Sequence, residues 1–151
     1  MIIYRLTTGN YAHNISGQGA KNYGGRWNPV GIGVVYMSEF ISLSILEILV
    51  RVDKFSSPDT YTLLSIQIPE DSVATIELKK LRQSWQNHIE YTRSIGDEFL
   101  KANQTLVLKV PSAIVPQEHN FLINPQHKDF KKIKVIHTEL LELDKRLFQT
   151  Q

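Results

Sequence analysis

The sequence predicts an α+β fold, a mixed central sheet with flanking helices, on three observations. Short β-branched runs recur along the chain, two longer stretches carry helical periodicity, and no strand-helix-strand unit follows the glycine-rich segment near the start. That last point sets a Rossmann arrangement aside, because Gly17-Gln18-Gly19 also lacks the third glycine of a dinucleotide fingerprint. No repeat, low-complexity tract or Pro/Gly/Ser-rich linker divides the 151 residues, so residues 1–151 read as a single domain. A chain of that length buries roughly two-thirds of its unfolded surface and needs no external staple.

In chain order, Ile2 to Leu6 is a first strand. Gly17-Gln18-Gly19 and Gly24-Gly25 make a loop that leads into a short extended piece through Trp27, and Gly31 to Gly33 supplies a turn. Val34 to Met37 is β-branched enough for a strand. From Glu39 to Val52 the pattern becomes helical, capped by Ser38 and apolar over most of its circumference, which predicts a central, largely buried helix. Tyr61 to Ile68 alternates as a strand, with Leu64, Ile66 and Ile68 on one face, and Pro69 ends it. A second helix runs from Asn87 or His88 to Ala102, where Gly96 marks a weak point or break. Thr105 to Val110 returns to strand, and Lys134-Val135-Ile136 and Leu140 to Leu143 are two short terminal runs.

Composition excludes several classes of protein. With 42% hydrophobic and 21% charged residues the chain is far from disordered usage. Zero cysteines rule out disulfides and thiolate chemistry. Met1-Ile2-Ile3-Tyr4-Arg5 does not begin a signal peptide and no apolar run reaches membrane-spanning length, so a cytoplasmic protein without membrane contact is expected. A net charge of +2 does not argue for direct nucleic-acid binding. The one basic cluster, Lys128, Lys131, Lys132 and Lys134, reads as a solvated face anchored by Phe130, Ile133 and Val135. Histidines 13, 88, 119, 127 and 137 show no zinc-like spacing, so no metal is expected.

Four side chains stand out because they are polar in apolar or tightly turned settings. Arg26 follows paired glycines in Tyr23-Gly24-Gly25-Arg26-Trp27-Asn28-Pro29; it reads either as a structural arginine on Trp27 or loop carbonyls, or as an anion binder. Tyr36, near a strand end, is either core or a ligand platform. Glu47 interrupts Ile45-Leu46-Glu47-Ile48-Leu49-Val50, either as the partner of Arg51 in an i,i+4 pair or as a carboxylate at a cleft mouth. Ser112 lies in Val110-Pro111-Ser112-Ala113-Ile114-Val115-Pro116, where a serine ordinarily bonds its own backbone.

Taken together, these segments resemble the RES domain family, which is named after arginine, glutamate and serine. The similarity runs over nearly the whole chain through Tyr4-Arg5, Ser16 to Ala20, Gly24 to Pro29, Val35-Tyr36, the Glu47 helix, Trp85, Ile95-Gly96-Asp97, Val110 to Pro116, Asn120 to Pro125 and Asp144 to Leu147. The resemblance implies an ADP-ribosyltransferase-like fold and a toxin of a bacterial toxin-antitoxin pair that degrades NAD. It maps Arg26, Tyr36, Glu47 and Ser112 onto the family's arginine, tyrosine, acid and serine, with Asn120 as an extension of the substrate-binding set. Phe99 departs from the tryptophan that the family often carries there.

What the resemblance implies chemically fits those residue types. Breaking the nicotinamide-ribose bond builds positive charge at the anomeric carbon, which Glu47 would stabilise, while Arg26 would hold the pyrophosphate beside Gly24 and Gly25. Tyr36 would stack on nicotinamide or hold its ribose, and Ser112 would hydrogen-bond nicotinamide or ribose rather than act as a nucleophile, because no His-Asp pair is linked to it. NAD enters as substrate with no further cofactor, water or inorganic phosphate is the acceptor, and a cognate Xre-like antitoxin is the expected protein partner. The alternatives are a non-catalytic NAD or ADP-ribose binding module, a protein ADP-ribosyltransferase and an RNA-directed toxin using the Lys128 to Lys134 cluster.

Overall fold

The computed structural model describes residues 1–8, 14–51 and 60–148. Seven strands form one sheet: β1 (Ile2–Thr7), β2 (Val35–Ser38), β3 (Thr60–Gln67), β4 (Val73–Thr75), β5 (Val107–Pro111), β6 (His119–Ile123) and β7 (Lys134–Glu142). Their spatial order is β4-β5-β6-β2-β1-β3-β7, antiparallel throughout except for the β4-β5 pair. Among the described residues, three α-helices accompany the sheet: α1 (Gln18–Tyr23), α2 (Ile41–Leu49) and α3 (Ile89–Ala102). The mixed sheet and α+β class expected from the sequence are therefore present.

The period-2 alternation of the strands splits the core in two. Ile3, Val35, Met37, Leu64, Ile66, Phe121 and Ile123 pack on one face, while Leu108, Val110 and Leu122 pack on the other with Trp27, Trp85 and Leu100. A third group, Leu6, Tyr61 and Leu63, is covered by Ile45 and Ile48 of α2. Phe99, at the departure from the family pattern, joins the partly buried shell around Trp27 and Trp85.

Several local expectations are corrected. The Gly17 to Gly25 stretch holds helix α1, which starts at Gly17 with φ +74° and has no side-chain cap. Ser38 does not cap α2; it is the last residue of β2, and Phe40 occupies the cap position. The far end of the predicted helix at Val52 lies outside the described residues, as does His13. Nor is α2 largely buried: only Leu43 and Ser44 are, and Phe40, Ile41 and Leu46 are exposed, because the helix covers one face of the sheet and nothing covers its other side among the described residues. The two terminal runs are one strand, β7, extended along β3. In the lysine cluster Phe130 and Ile133 are anchors as expected, but Val135 sits exposed on β7.

Gly96 does not break α3. A Cβ built there would lie 1.7 Å from the carbonyl oxygen of Trp27, so the missing side chain is what lets the helix close onto the loop that carries Arg26. Thr92 Oγ1 donates to the Arg26 carbonyl at 2.7 Å and Arg93 Nε to the Gly25 carbonyl at 2.9 Å. The 24–28 loop is thus hydrogen-bonded to α3 through two successive backbone carbonyls, Gly25 and Arg26, and packs on it at a third, Trp27.

Candidate active site

Neighbours in the sheet, β1 and β2 share a single paired position, Tyr4 with Ser38. Beyond it, Arg5 to Thr7 on one strand and Tyr36 and Met37 on the other, with Val34 just before it, border a cleft of about 430 Å³. Asn14, Gly17 to Ala20 and Gly24-Gly25 line it further, and α2 contributes Ser44, Glu47, Ile48 and Arg51. That volume suits a small organic ligand, since such sites typically measure about 300–1,000 Å³.

Glu47 is the best-anchored polar group there, with its side chain 19% exposed. Its Oε1 accepts from Ser112 Oγ at 3.2 Å and from Asn120 Nδ2. Its Oε2 faces Arg51 Nη2 at 3.5 Å. Both readings of Glu47 therefore hold at once: the i,i+4 pair with Arg51 exists, and the carboxylate still borders the cleft. The two donors are themselves held. Ser38 Oγ donates to Asn120 Oδ1 at 2.9 Å, which turns the amide so that its nitrogen faces Glu47. Ser112 Oγ accepts from the backbone nitrogens of Ile114 at 3.1 Å and Val115 at 3.2 Å, leaving its one proton for the carboxylate.

Ser112 is placed otherwise than expected. The residue is 0% exposed and does not line the cleft, and its hydroxyl holds Glu47. The expectation that it bonds its own backbone is met. Asn120 does line the cleft.

Tyr36 sits on the cleft wall with its hydroxyl fixed. It accepts from Trp27 N at 3.0 Å and donates to Asn28 Oδ1 at 2.7 Å. Asn28 is fully buried, and its Nδ2 donates to the carbonyls of Ala20 and Ile32, each at 2.8 Å. Burial pushes the Tyr36 phenol up to about 12, against smaller opposing effects of the Trp27 backbone hydrogen bond and the guanidinium groups of Arg51, Arg93 and Arg26. Gly25 is needed for this seat, because a Cβ there would lie 2.5 Å from the Tyr36 hydroxyl.

Arg26 is placed otherwise than expected. Its Nη1 donates to the Gln86 carbonyl at 2.7 Å, its guanidinium lies 6.0 Å from the centre of the Trp85 ring, and it does not line the cleft. It braces the loop whose Gly25 seats Tyr36, and its bond to the Gln86 carbonyl is a contact of the structural kind. The cationic groups that do border the cleft are Arg5 and Arg51. Arg5 is half-buried, donates from Nη1 to the Asn14 carbonyl at 3.0 Å, and has no ion-pair partner among the described residues. Burial lowers its pKa, because a desolvated guanidinium is a poorer cation.

Sequence reasoning missed Arg5, Ser38 and Asn28. Arg5 and Asn28 lay inside quoted motifs, Tyr4-Arg5 and Gly24 to Pro29, without being singled out, and Arg5 is also a charge inside the apolar strand Ile2 to Leu6; for Ser38 the sequence held no comparable signal. Outside the cleft, Glu39 pairs with Lys109 Nζ at 3.2 Å and His119 Nδ1 at 2.8 Å. Partial burial pushes its carboxyl up, but the His119 and Lys109 hydrogen bonds outweigh that and hold it below the ordinary range.

Comparison with known proteins places this geometry. The chain is 42% identical over 135 residues to a protein named Toxin Res from Photorhabdus laumondii subsp. laumondii, covering 87% of this chain and 86% of that one. It is 38% identical over 128 residues to a protein named Prs ADP-ribosylating toxin from a Sphingobium species, covering 82% and 80%. A solved structure, that of the M. tuberculosis MbcT-MbcA toxin-antitoxin complex, contains a chain of the same fold, with a TM-score of 0.76 at 18% identity over 97% of this chain and 86% of that one. Residues 2–144 match the family described as RES domain, with Glu47 and Ser112 joined by a hydrogen bond inside that span, and the chain belongs to the RES domain family.

Proposed function

We propose that this protein is a toxin that consumes NAD by cleaving the bond between nicotinamide and its ribose, with water or inorganic phosphate as acceptor. The observation that carries the reading is a carboxylate, Glu47, fixed by two donors on the wall of a cleft that also holds two arginines and a half-buried tyrosine. As the C1′–N bond breaks, the electron pair leaves with nicotinamide, which departs neutral and needs no proton on its ring nitrogen. Positive charge develops on the ribose, and Glu47 faces it. At about 4 Å and an effective dielectric near 20, that attraction is worth at most about 4 kcal/mol, roughly a thousandfold in rate. Because Ser112 and Asn120 hold the carboxylate beforehand, little reorganisation accompanies the charge.

Arg5 and Arg51 take the pyrophosphate in this reading, and Tyr36 presents its ring to the nicotinamide or its ribose. Arg26 acts from behind, through the loop. A cognate antitoxin is the natural protein partner, supported by the toxin names of the relatives and by the complex in which the structural neighbour was solved.

The test is to incubate the purified chain with NAD and follow nicotinamide by chromatography, with and without phosphate. ADP-ribose as co-product identifies hydrolysis, and its 1-phosphate identifies phosphorolysis. Intact NAD after long incubation, in the presence of measurable NAD binding, would leave a binding module only. The name of the Sphingobium relative favours one second reading, transfer of ADP-ribose to a protein, which radiolabelled NAD and a cell lysate would reveal as labelled protein.

A further inference from the structure

The two carboxylate oxygens of Glu47 are held differently. Oε1 takes both neutral donors, Ser112 Oγ and Asn120 Nδ2, whereas Oε2 faces Arg51 Nη2 at 3.5 Å. Oε2 is therefore the oxygen left to meet charge on a ligand, and a guanidinium lies on it. The NAD-cleaving reading asks two things of this pair that one geometry does not satisfy: Glu47 has to face a cationic ribose with its charge uncancelled, and Arg51 has to hold phosphate.

The two partners are unequally free to move. The Glu47 side chain is 19% exposed and fixed by two donors from the sheet side of the site, while the Arg51 side chain is 61% exposed and follows the end of α2. An ion pair this exposed is weak, so it yields readily, and it yields at the arginine. The guanidinium also lies 6.0 Å from the centre of the Tyr36 ring, and both residues line the cleft. A phosphate on the 5′ oxygen of the ribose whose C1′ faces Glu47 is only a few bonds away from that carbon, and it offers Arg51 a stronger, forked partner than a single carboxylate oxygen at 3.5 Å.

We propose that Arg51 makes this site selective for a dinucleotide: ligand phosphate draws its guanidinium off Oε2, and Glu47 then faces the breaking bond with its full charge. The inference rests on the NAD-cleaving reading and names its specificity. Nicotinamide riboside has the same C1′–N bond and no phosphate, so it leaves Arg51 on Glu47. In both compounds the electron pair of that bond leaves with nicotinamide, and a water oxygen bonds to C1′ with loss of one proton, or a phosphate oxygen bonds in its place. The two differ in what draws the arginine.

The test compares nicotinamide release from NAD and from nicotinamide riboside by wild type, Arg51→Ala and Arg51→Gln. Specificity is the ratio of the two kcat/KM values, and wild type is expected to favour NAD strongly. In either variant kcat/KM for NAD is expected to fall about 10- to 100-fold, mostly through KM, because a phosphate contact is lost. For the riboside it is expected to rise about tenfold, because Oε2 is uncovered. An arginine with a merely structural role would move both substrates in the same direction. The rise is expected to vanish when Arg51→Ala is added to Glu47→Gln, since it acts through that carboxylate. Riboside turnover that falls or stays level without Arg51, or a rise that persists beside Glu47→Gln, would overturn the proposal while NAD cleavage by wild type stands. Wild type that releases no nicotinamide from NAD would overturn the reading of the reaction and this inference with it.

Discussion

Removing the Ser112 hydroxyl asks the most of the site geometry. In Ser112→Ala, Glu47 loses one of its two neutral donors and keeps Asn120. A hydrogen bond to a charged group contributes about 1.5–3 kcal/mol, which corresponds to roughly a 10- to 150-fold fall in kcat if the bond is needed where charge develops. The same change leaves the backbone nitrogens of Ile114 and Val115 without their shared acceptor, beside a residue that is fully buried. That loss is expected to destabilise the fold by about 1–3 kcal/mol, lowering Tm by about 2–4 °C per kcal/mol for a domain of this size. Steady-state nicotinamide release and thermal unfolding, measured on the same preparation, read both effects. Because Ser112 does not line the cleft, KM should hardly move. Activity at the uncatalysed background, with kcat lost altogether, would mean that the serine reacts directly; an unchanged kcat would mean that it does not position Glu47.

The other predictions follow from equally specific contacts. Arg5→Ala should weaken NAD binding about 10- to 100-fold by calorimetry in a Glu47→Gln background, as expected for loss of a charge-assisted phosphate contact, whereas Arg26→Ala should act mainly on stability; the opposite ranking would return the anion to Arg26. Gly96→Ala gains about 1 kcal/mol of helix propensity, but a Cβ 1.7 Å from the Trp27 carbonyl overwhelms it, so a net loss of at least about 3 kcal/mol is expected in urea unfolding. A wild-type midpoint would contradict that packing. Since the folded-state pKa of Tyr36 is raised from 10.0 to about 12, its contribution to stability is full below 10.0 and is lost as pH rises through about 12. Ultraviolet titration should therefore show this phenolate only near pH 12, and Tyr36→Phe should flatten the alkaline decline in stability; a phenolate formed at its ordinary pH would refute the burial.

Much of the fold was legible because its signals were periodic. β1, β2, β3, β5 and α3 fall within a few residues of where alternation and helical spacing put them. Helix α1 was hidden by its own glycines, which read as loop, since a six-residue helix without a side-chain cap leaves little trace in sequence. Apolar composition misled for α2, because burial depends on what lies outside the helix and that cannot be read from its residues. β6 was hidden inside a motif read for chemistry, although Phe121-Leu122-Ile123 is an ordinary buried strand run. In the site, Glu47, Tyr36 and Asn120 were found on the cleft, while Arg26 and Ser112 were found one layer behind it. A motif names residues that a fold needs together without saying which of them line the cleft, and Arg5 is a cleft residue whose short motif, Tyr4-Arg5, did not single it out.

The most direct measurement is NAD turnover by Glu47→Gln at saturating NAD, set beside its dissociation constant for NAD. With the carboxylate made neutral and its shape kept, turnover is expected to drop by up to about a thousandfold while binding changes only a few-fold. Nicotinamide released at the wild-type rate by this variant would contradict the claim that Glu47 meets the charge on the breaking bond.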